Sequence, residues 1–241
     1  MRRLHKAKYQ CEAVAFDDST DYALRGADMT GTVNTSKKGL GSVWLKADGN
    51  GDVRNVWAHV AATLILRNAD NTITVRRYGA SGVIKLDLQT TGTILVADGW
   101  KHLMWSYDMN GPTTHLYLDD VSDNTENTAV DAAFDDVRSE WAIGGSVAGD
   151  SKWNGDMAEL YHNQAEYLDL STESNRRKFR TATGKPVNLG ATGAVPTGNQ
   201  PILYCSVRPG NAASVFFVNK GSGGNFTDQG SIALAGTSPS D

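Results

Sequence analysis

Residues Asp98 to Asp120 read DGWKHLMWSYDMNGPTTHLYLDD, and this stretch decides the fold. Leu103, Trp105 and Tyr107 alternate with His102, Met104 and Ser106, the two-residue period of a strand with one apolar, aromatic face. The run breaks at Asp108-Met109-Asn110-Gly111-Pro112, where Asn-Gly and Pro favour backbone angles that a strand cannot adopt. Alternation resumes over Thr114–Leu118, with Leu116 and Leu118 on one face and His115 and Tyr117 on the other. Two alternating runs about a short Gly/Pro loop predict a β-hairpin.

Working outward, the same rhythm recurs. Strands are predicted over Tyr9–Phe16, Leu40–Leu45 (carrying Trp44), Thr72–Tyr78, Val83–Leu88, Thr93–Val96, Trp141–Gly145 and the span Lys152–Asn163. Val56–Leu66, VWAHVAATLIL, is apolar on both faces and reads as one buried strand. Pro201–Val207 and Ser214–Val218 supply two more, SVFFV being the stronger. Asp119–Ser139 is acidic and polar and reads as a long rim connection. One stretch departs from the pattern: Ser171 or Thr172 is a plausible N-cap, helix-compatible residues run to Arg180, and Gly184 is a stop. The expectation is an all-β jelly-roll sandwich with one two-turn helix near 171–180 that packs Phe179 against the sheets. It divides into a basic N-terminal arm (1–8), a body (9–218) and a Gly/Ser-rich C-terminal tail (219–241).

Bulk composition narrows the function classes. The formal net charge of −4 gives no long-range attraction to nucleic acid or to an anionic membrane. The opening MRRLHKAKYQCEAVAFDD is basic like a signal peptide but lacks its apolar run, because Glu12 and Asp17-Asp18 interrupt it, and no stretch is long enough for a spanning helix. Cys11 and Cys205 lie near opposite ends of the chain. Two buried thiols are favoured over a disulfide, and without neighbouring histidines they make no zinc site.

The quoted stretch, with HLYLDDV, AIGG and WNGDMAELYHN after it, resembles the laminin-G-like, concanavalin A-type jelly roll of lectins and glucanases. There the corresponding strands carry a Trp-His pair, an "LYVDG"-type strand and "G-x-I-x-E-x-x-I-Y". The resemblance covers Tyr9 to Asn163. The following EYLDLSTESNRRKFRTATGKPVNLG, FFVNKGSGGNF and TSPSD resemble the tails of laminin-G-like proteins encoded by bacteriophages and prophages. That resemblance implies a virion structural protein, made in the host cytoplasm and sited on the particle. Its expected role is capsid decoration, as a homo-oligomer bound to the major capsid protein or other virion proteins. The alternative is a lectin-like adhesin for host surface glycan.

Three sets of residues invite chemistry. Retaining glucanases of this fold space their carboxylates as E-x-D-x-x-E, and Asn154, Asp156 and Glu159 fall on that spacing. With an amide at the nucleophile position no glycosyl ester can form, so no catalytic residue is assigned. Glycan binding needs an aromatic platform beside polar groups. Trp57, Trp100, Trp141 and Trp153 are the candidates, with Trp153, Asn154 and Asp156 the preferred site. A calcium ion would suit loop carboxylates, and Asp48, Asn50 and Asp52 imitate the start of a calcium loop, although Val53 replaces its glycine and His59 its closing glutamate. Asp17, Asp18 and Asp21, and Asp119, Asp120 and Asp123, are weaker clusters of the same kind. No cofactor is otherwise implied. Arg2, Arg3, Lys6 and Lys8 are the expected assembly contacts.

Overall fold

The computed structural model describes residues 8–32, 35–59 and 61–241, and of Ser81 the backbone alone. Strands β1 (Val14–Phe16), β2 (Ala23–Arg25), β3 (Lys38–Ala47), β4 (Arg54–His59), β5 (Thr63–Arg67), β6 (Thr72–Tyr78) and β7 (Ile84–Thr93) come first. They are followed by β8 (Lys101–Asp108), β9 (Thr113–Leu118), β10 (Val121–Ser122), β11 (Thr125–Ala129), β12 (Trp141–Ile143) and β13 (Gly155–Asn163). After helix α1 (Glu173–Arg176) come β14 (Leu203–Cys205), β15 (Thr227–Asp228) and β16 (Ala233–Leu234). The first sheet runs β10-β9-β8-β3-β13-β1-β16, with β14 also on β13. The second runs β11-β7-β6-β5-β4-β12-β2-β15. The all-β sandwich predicted from the sequence is what forms. No described helix is long and apolar enough to cross a membrane.

The β8–β9 hairpin forms as the alternation requires. Leu103 faces Leu118, Trp105 faces Leu116, and Tyr107 faces Thr114. Leu103, Trp105 and Tyr107 point into the core with Val43 and Leu45 of β3 and Ile65, Val75 and Leu88 of the second sheet. Each such side chain, fully buried, contributes about 1.5–3 kcal/mol. The neighbouring strand makes room for the rings. A Cβ on Gly41 would lie 1.9 Å from the Trp105 indole, and one on Gly39 2.2 Å from the Tyr107 ring.

Several elements differ from expectation, each for a physical reason. Val56–Leu66 is a hairpin rather than one strand. β4 and β5 pair antiparallel, and the turn is closed by Ala62 N–H on His59 O (3.0 Å) and Ala61 N–H on His59 Nδ1 (3.1 Å). Both strands bury their residues, so no polar break marks the turn. In place of separate strands over Val83–Leu88 and Thr93–Val96 there is one ten-residue strand, Ile84–Thr93, followed by a 3₁₀ turn at Val96–Asp98. The rim connection carries β10 and β11, one on each sheet. Ser214–Val218 is a 3₁₀ helix (Ala213–Phe217), which turns Phe216 and Phe217 onto Phe16 at ring separations of 6.4 and 6.1 Å. An apolar run five residues long does not encode its own period.

Helix α1 is one turn, not two. Beyond it come two hydrogen bonds of three-residue spacing, Lys178 N–H to Asn175 O and Phe179 N–H to Arg176 O, and a single one of four-residue spacing, Arg180 N–H to Arg176 O. Phe179 is nevertheless buried, edge-on to Tyr161 at 5.3 Å. The C-terminal residues, expected as a separate tail, are built into the body. β15 adds to β2 in one sheet, and β16 adds to β1 in the other. Cys11 and Cys205 are both buried and unbonded, and burial pushes each thiol up to about 12.

Candidate functional site

The outward side chains of the first sheet set up the site. Strand alternation turns Ser42, Trp44 and Lys46 of β3 away from the core, along with His102 and Met104 of β8 and Asp156 and Ala158 of β13. Half of this outer face is covered by the segment around α1. There Leu168, Leu170, Phe179, Val187 and Leu189 pack on Leu40, Met104, Tyr117 and Tyr161. Over the other half, Tyr9, Cys11, Ala13 and the C-terminal Ala235 gather about Trp44, Trp100 and Ala158.

Between these two covers lies a cavity of about 540 Å³. Its walls are Trp44 and Lys46 from β3, Trp100 from the turn before β8, Asp119 from the turn after β9, Arg180 and Lys185 after α1, and the segment Thr237–Asp241. Trp44 is buried and stacks on His102 with ring centroids 4.2 Å apart. The Arg180 guanidinium carbon sits 5.7 Å from the Trp44 ring. Trp100 is only half-buried, and its indole N–H donates to Thr237 Oγ1 at 3.3 Å.

The polar groups of the cavity are held in place by their neighbours. Lys46 Nζ donates to Asp156 Oδ2 at 2.9 Å and lies 3.5 Å from Asp48, and the bond to Asp156 keeps the ammonium charged by raising its pKa. Asp119 and Asp120 both have positive φ (50° and 73°), the tight-hairpin geometry that swings their carboxylates outward. Asp119 accepts the His102 backbone N–H at 2.9 Å and pairs with Lys101 at 3.0 Å. Asp120 takes Arg176 at 2.5 Å and Arg177 at 2.7 Å. Burial opposes its ionisation, but the two guanidinium groups win and hold it at about 2. This double ion pair fastens α1, and therefore Arg180, to the sheet. Beneath Trp44, His102 is fully buried beside Ser42 (2.7 Å). Burial, reinforced by Arg180, pushes its pKa well below the usual range, so its ring is neutral.

The residues singled out in the sequence are distributed differently. Trp57, Trp141 and Trp153 are core residues. Trp153 is 0% exposed beneath Arg67, so it is no sugar platform. Trp100 is the one of the four that lines the cavity. Asn154 reaches Asp18 at 3.4 Å, away from Asp156, whose partner is Lys46. Glu159 is the extra residue of a β-bulge, with φ 50°. It accepts hydrogen bonds from the Tyr9 and Tyr204 hydroxyls at 2.9 and 2.8 Å. Asn154, Asp156 and Glu159 thus form no carboxylate pair across a cleft. The metal candidates are likewise separate. Asp48 faces Lys46, Asn50 accepts the Val96 N–H, and Asp52 pairs with Arg54. Among the described residues no group of three or more His, Cys, Asp or Glu side chains is placed to hold a metal ion. Arg2, Arg3 and Lys6 lie outside the described residues, and Lys8 is exposed.

Sequence reasoning missed Lys46, Arg180, Lys185 and Thr237 as site residues, and it singled out Asp119 only as part of a calcium cluster. They come from stretches far apart in the chain, and no local motif joins them.

No protein-family model matches the chain, and no curated protein matches its sequence. Solved structures do match. A candidate carbohydrate-binding protein from Bacteroides ovatus superposes with a TM-score of 0.66 at 13% identity, covering 95% of this chain. This chain spans 61% of that protein's length. The native heptameric SAP-like pentraxin of Limulus polyphemus superposes with a TM-score of 0.54 at 11% identity, over 95% of this chain and 97% of its own. Domains LG4-5 of the mouse laminin alpha1 chain match over 66% of this chain and 43% of that one, at 17% identity and a TM-score of 0.44. The fold is the laminin-G-like, concanavalin A-type jelly roll.

Proposed function

We propose that this protein binds carbohydrate, in the cavity on the outer face of the first sheet. The observation that carries the reading is the composition of that cavity. At about 540 Å³ it has the size of a small-ligand site, and a half-exposed Trp100 stands beside Trp44 within a ring of ammonium, guanidinium, carboxylate and hydroxyl groups. A sugar ring offers an apolar C–H face for an indole and hydroxyls for such groups. The fold shared with a candidate carbohydrate-binding protein supports the reading without naming a ligand. In this reading the site holds its ligand rather than cleaving it, since Asp156 and Glu159 serve Lys46 and the tyrosine network. A glycan array on the purified chain is the test. Retention of at least one sugar class supports the reading, and a flat array removes it.

Placement on a phage particle, implied by the sequence resemblance, belongs to the same proposal as its second part. The glycan-binding jelly roll would then be carried on the head or tail. The C-terminal residues are committed to both sheets, and the basic N-terminal segment and the rim loops are the proposed attachment elements. Quantitative mass spectrometry of purified particles tests this. Hundreds of copies indicate decoration of the head and a handful a tail adhesin, whereas none refutes a virion location.

A further inference from the structure

We propose that the sugar this cavity takes is acidic, with its carboxylate received by Arg180; the proposal rests on the reading of the cavity as a glycan site. Most of the cations around the cavity already have partners. Lys46 is bonded to Asp156, Lys101 to Asp119, and Arg176 and Arg177 to Asp120, while Lys185 donates to the main-chain oxygen of Asp241. Arg180 differs. It is 8% exposed, yet its guanidinium makes no hydrogen bond among the described residues, and Nε and Nη1 are buried without an acceptor. The nearest carboxylate oxygen, Asp119 Oδ1, is 3.9 Å from Nη1 and already accepts the His102 N–H.

A buried guanidinium that lacks an acceptor is an unfavourable arrangement, and the molecule holds it in place from several sides. Trp44 lies under it, the Asp120 pair anchors the turn before it, and the backbone bridges Arg180 to Pro186 just beyond. Gly184 packs against it so closely that a Cβ there would lie 3.0 Å from Nη2. The carboxylates that share the cavity are engaged in its walls. Asp119 pairs with Lys101, and Asp241 accepts the Ser238 N–H at 2.7 Å. What the cavity lacks is an anion for Arg180. A planar carboxylate matches the guanidinium fork, and stacking of the sugar ring on Trp100 would bring one from a uronic or sialic acid within reach. A neutral sugar hydroxyl would leave the buried charge uncompensated.

The experiment uses matched probes titrated into the full chain: a galacturonate oligosaccharide against its carboxyl-reduced form, sialyllactose against lactose, and a sulfated oligosaccharide. The proposal expects at least one carboxylated probe to bind tenfold or more tighter than its neutral partner, and Arg180→Gln to erase that preference. Arg180→Lys, which keeps the charge without the fork, should retain part of it and guards against a folding defect in the glutamine variant. Equal or better binding of the neutral partners overturns the acidic assignment and leaves the glycan reading standing. Preference for the sulfated probe over both carboxylated ones overturns the carboxylate in favour of a sulfate ester. Failure of every sugar, neutral and acidic, overturns the glycan reading and this inference with it.

Discussion

Replacing Glu159 by glutamine should change the pH dependence of stability in a direction the structure dictates. The carboxyl group is 2% exposed, in a bulge of β13 where the backbone is left-handed. Burial pushes its pKa from 4.5 to about 8, against the opposing pull of the Tyr204 hydroxyl, Lys220 and Ser206. The folded protein therefore holds this proton more tightly than the unfolded chain does. The stability it contributes is complete below 4.5 and drains away as pH rises through 8. Over that interval, at ~1.4 kcal/mol per pH unit, the loss comes to about 5 kcal/mol. Glutamine keeps the shape, accepts from one tyrosine hydroxyl and donates to the other, and cannot ionise. At about pH 5 the variant should match the parent within ~1 kcal/mol, and at about pH 8 it should be the more stable by up to ~5 kcal/mol. For a chain of this size that is roughly a 10–20 °C gain in Tm. Differential scanning calorimetry of both proteins from about pH 5 to about pH 8 reads it, because titrations that do not couple to Glu159 cancel in the difference, and its coupled neighbours Cys11, Tyr204, Lys220 and Arg208 all belong to types that ionise above that range. A difference that stays flat across the range, or a variant that loses ground as pH rises, would refute the reasoning.

Other expectations follow from the same structure. Asp120→Asn tolerates the left-handed turn but releases Arg176 and Arg177. It should lower stability at neutral pH by about 2 kcal/mol in urea titration, with the difference vanishing as pH falls through 2. Gly155→Ala would place a Cβ 2.1 Å from the Lys46 carbonyl oxygen at φ 137°, so a loss of at least ~2 kcal/mol or failure to fold is expected, read from soluble yield and chemical denaturation. Cys11 and Cys205 should resist a thiol reagent in the folded protein and react together on unfolding; rapid labelling of either in native buffer would contradict their burial.

The fold was legible where a period could be expressed. Leu103, Trp105 and Tyr107 alternate against a polar register and end at Asn110-Gly111-Pro112, so hydrophobic pattern and turn chemistry agree. Legibility failed where every residue is apolar. In Val56–Leu66 both strands of the β4–β5 hairpin are buried, and in Ser214–Val218 the 3₁₀ helix and a strand would need the same residues. It failed again where composition stood in for structure. Lys220 to Asp241 is rich in Gly and Ser, yet Ala233–Leu234 and Thr227–Asp228 each complete a sheet. Trp153 shows why the site was hidden. An indole next to Asn and Asp reads as a platform, but the strand start that follows it turns the ring inward. The cavity exists only after residues near positions 44, 100, 119, 180 and 237 are folded together.

The most direct test of the central claim is calorimetric titration of the tightest sugar from the array into the parent protein and into Trp100→Ala. Trp100 is half-buried at the cavity wall rather than in the core, so its removal should leave the fold intact while weakening binding tenfold or more, ~1.4 kcal/mol or above. An unchanged affinity in a folded Trp100→Ala protein would show that the sugar binds elsewhere and would contradict the account.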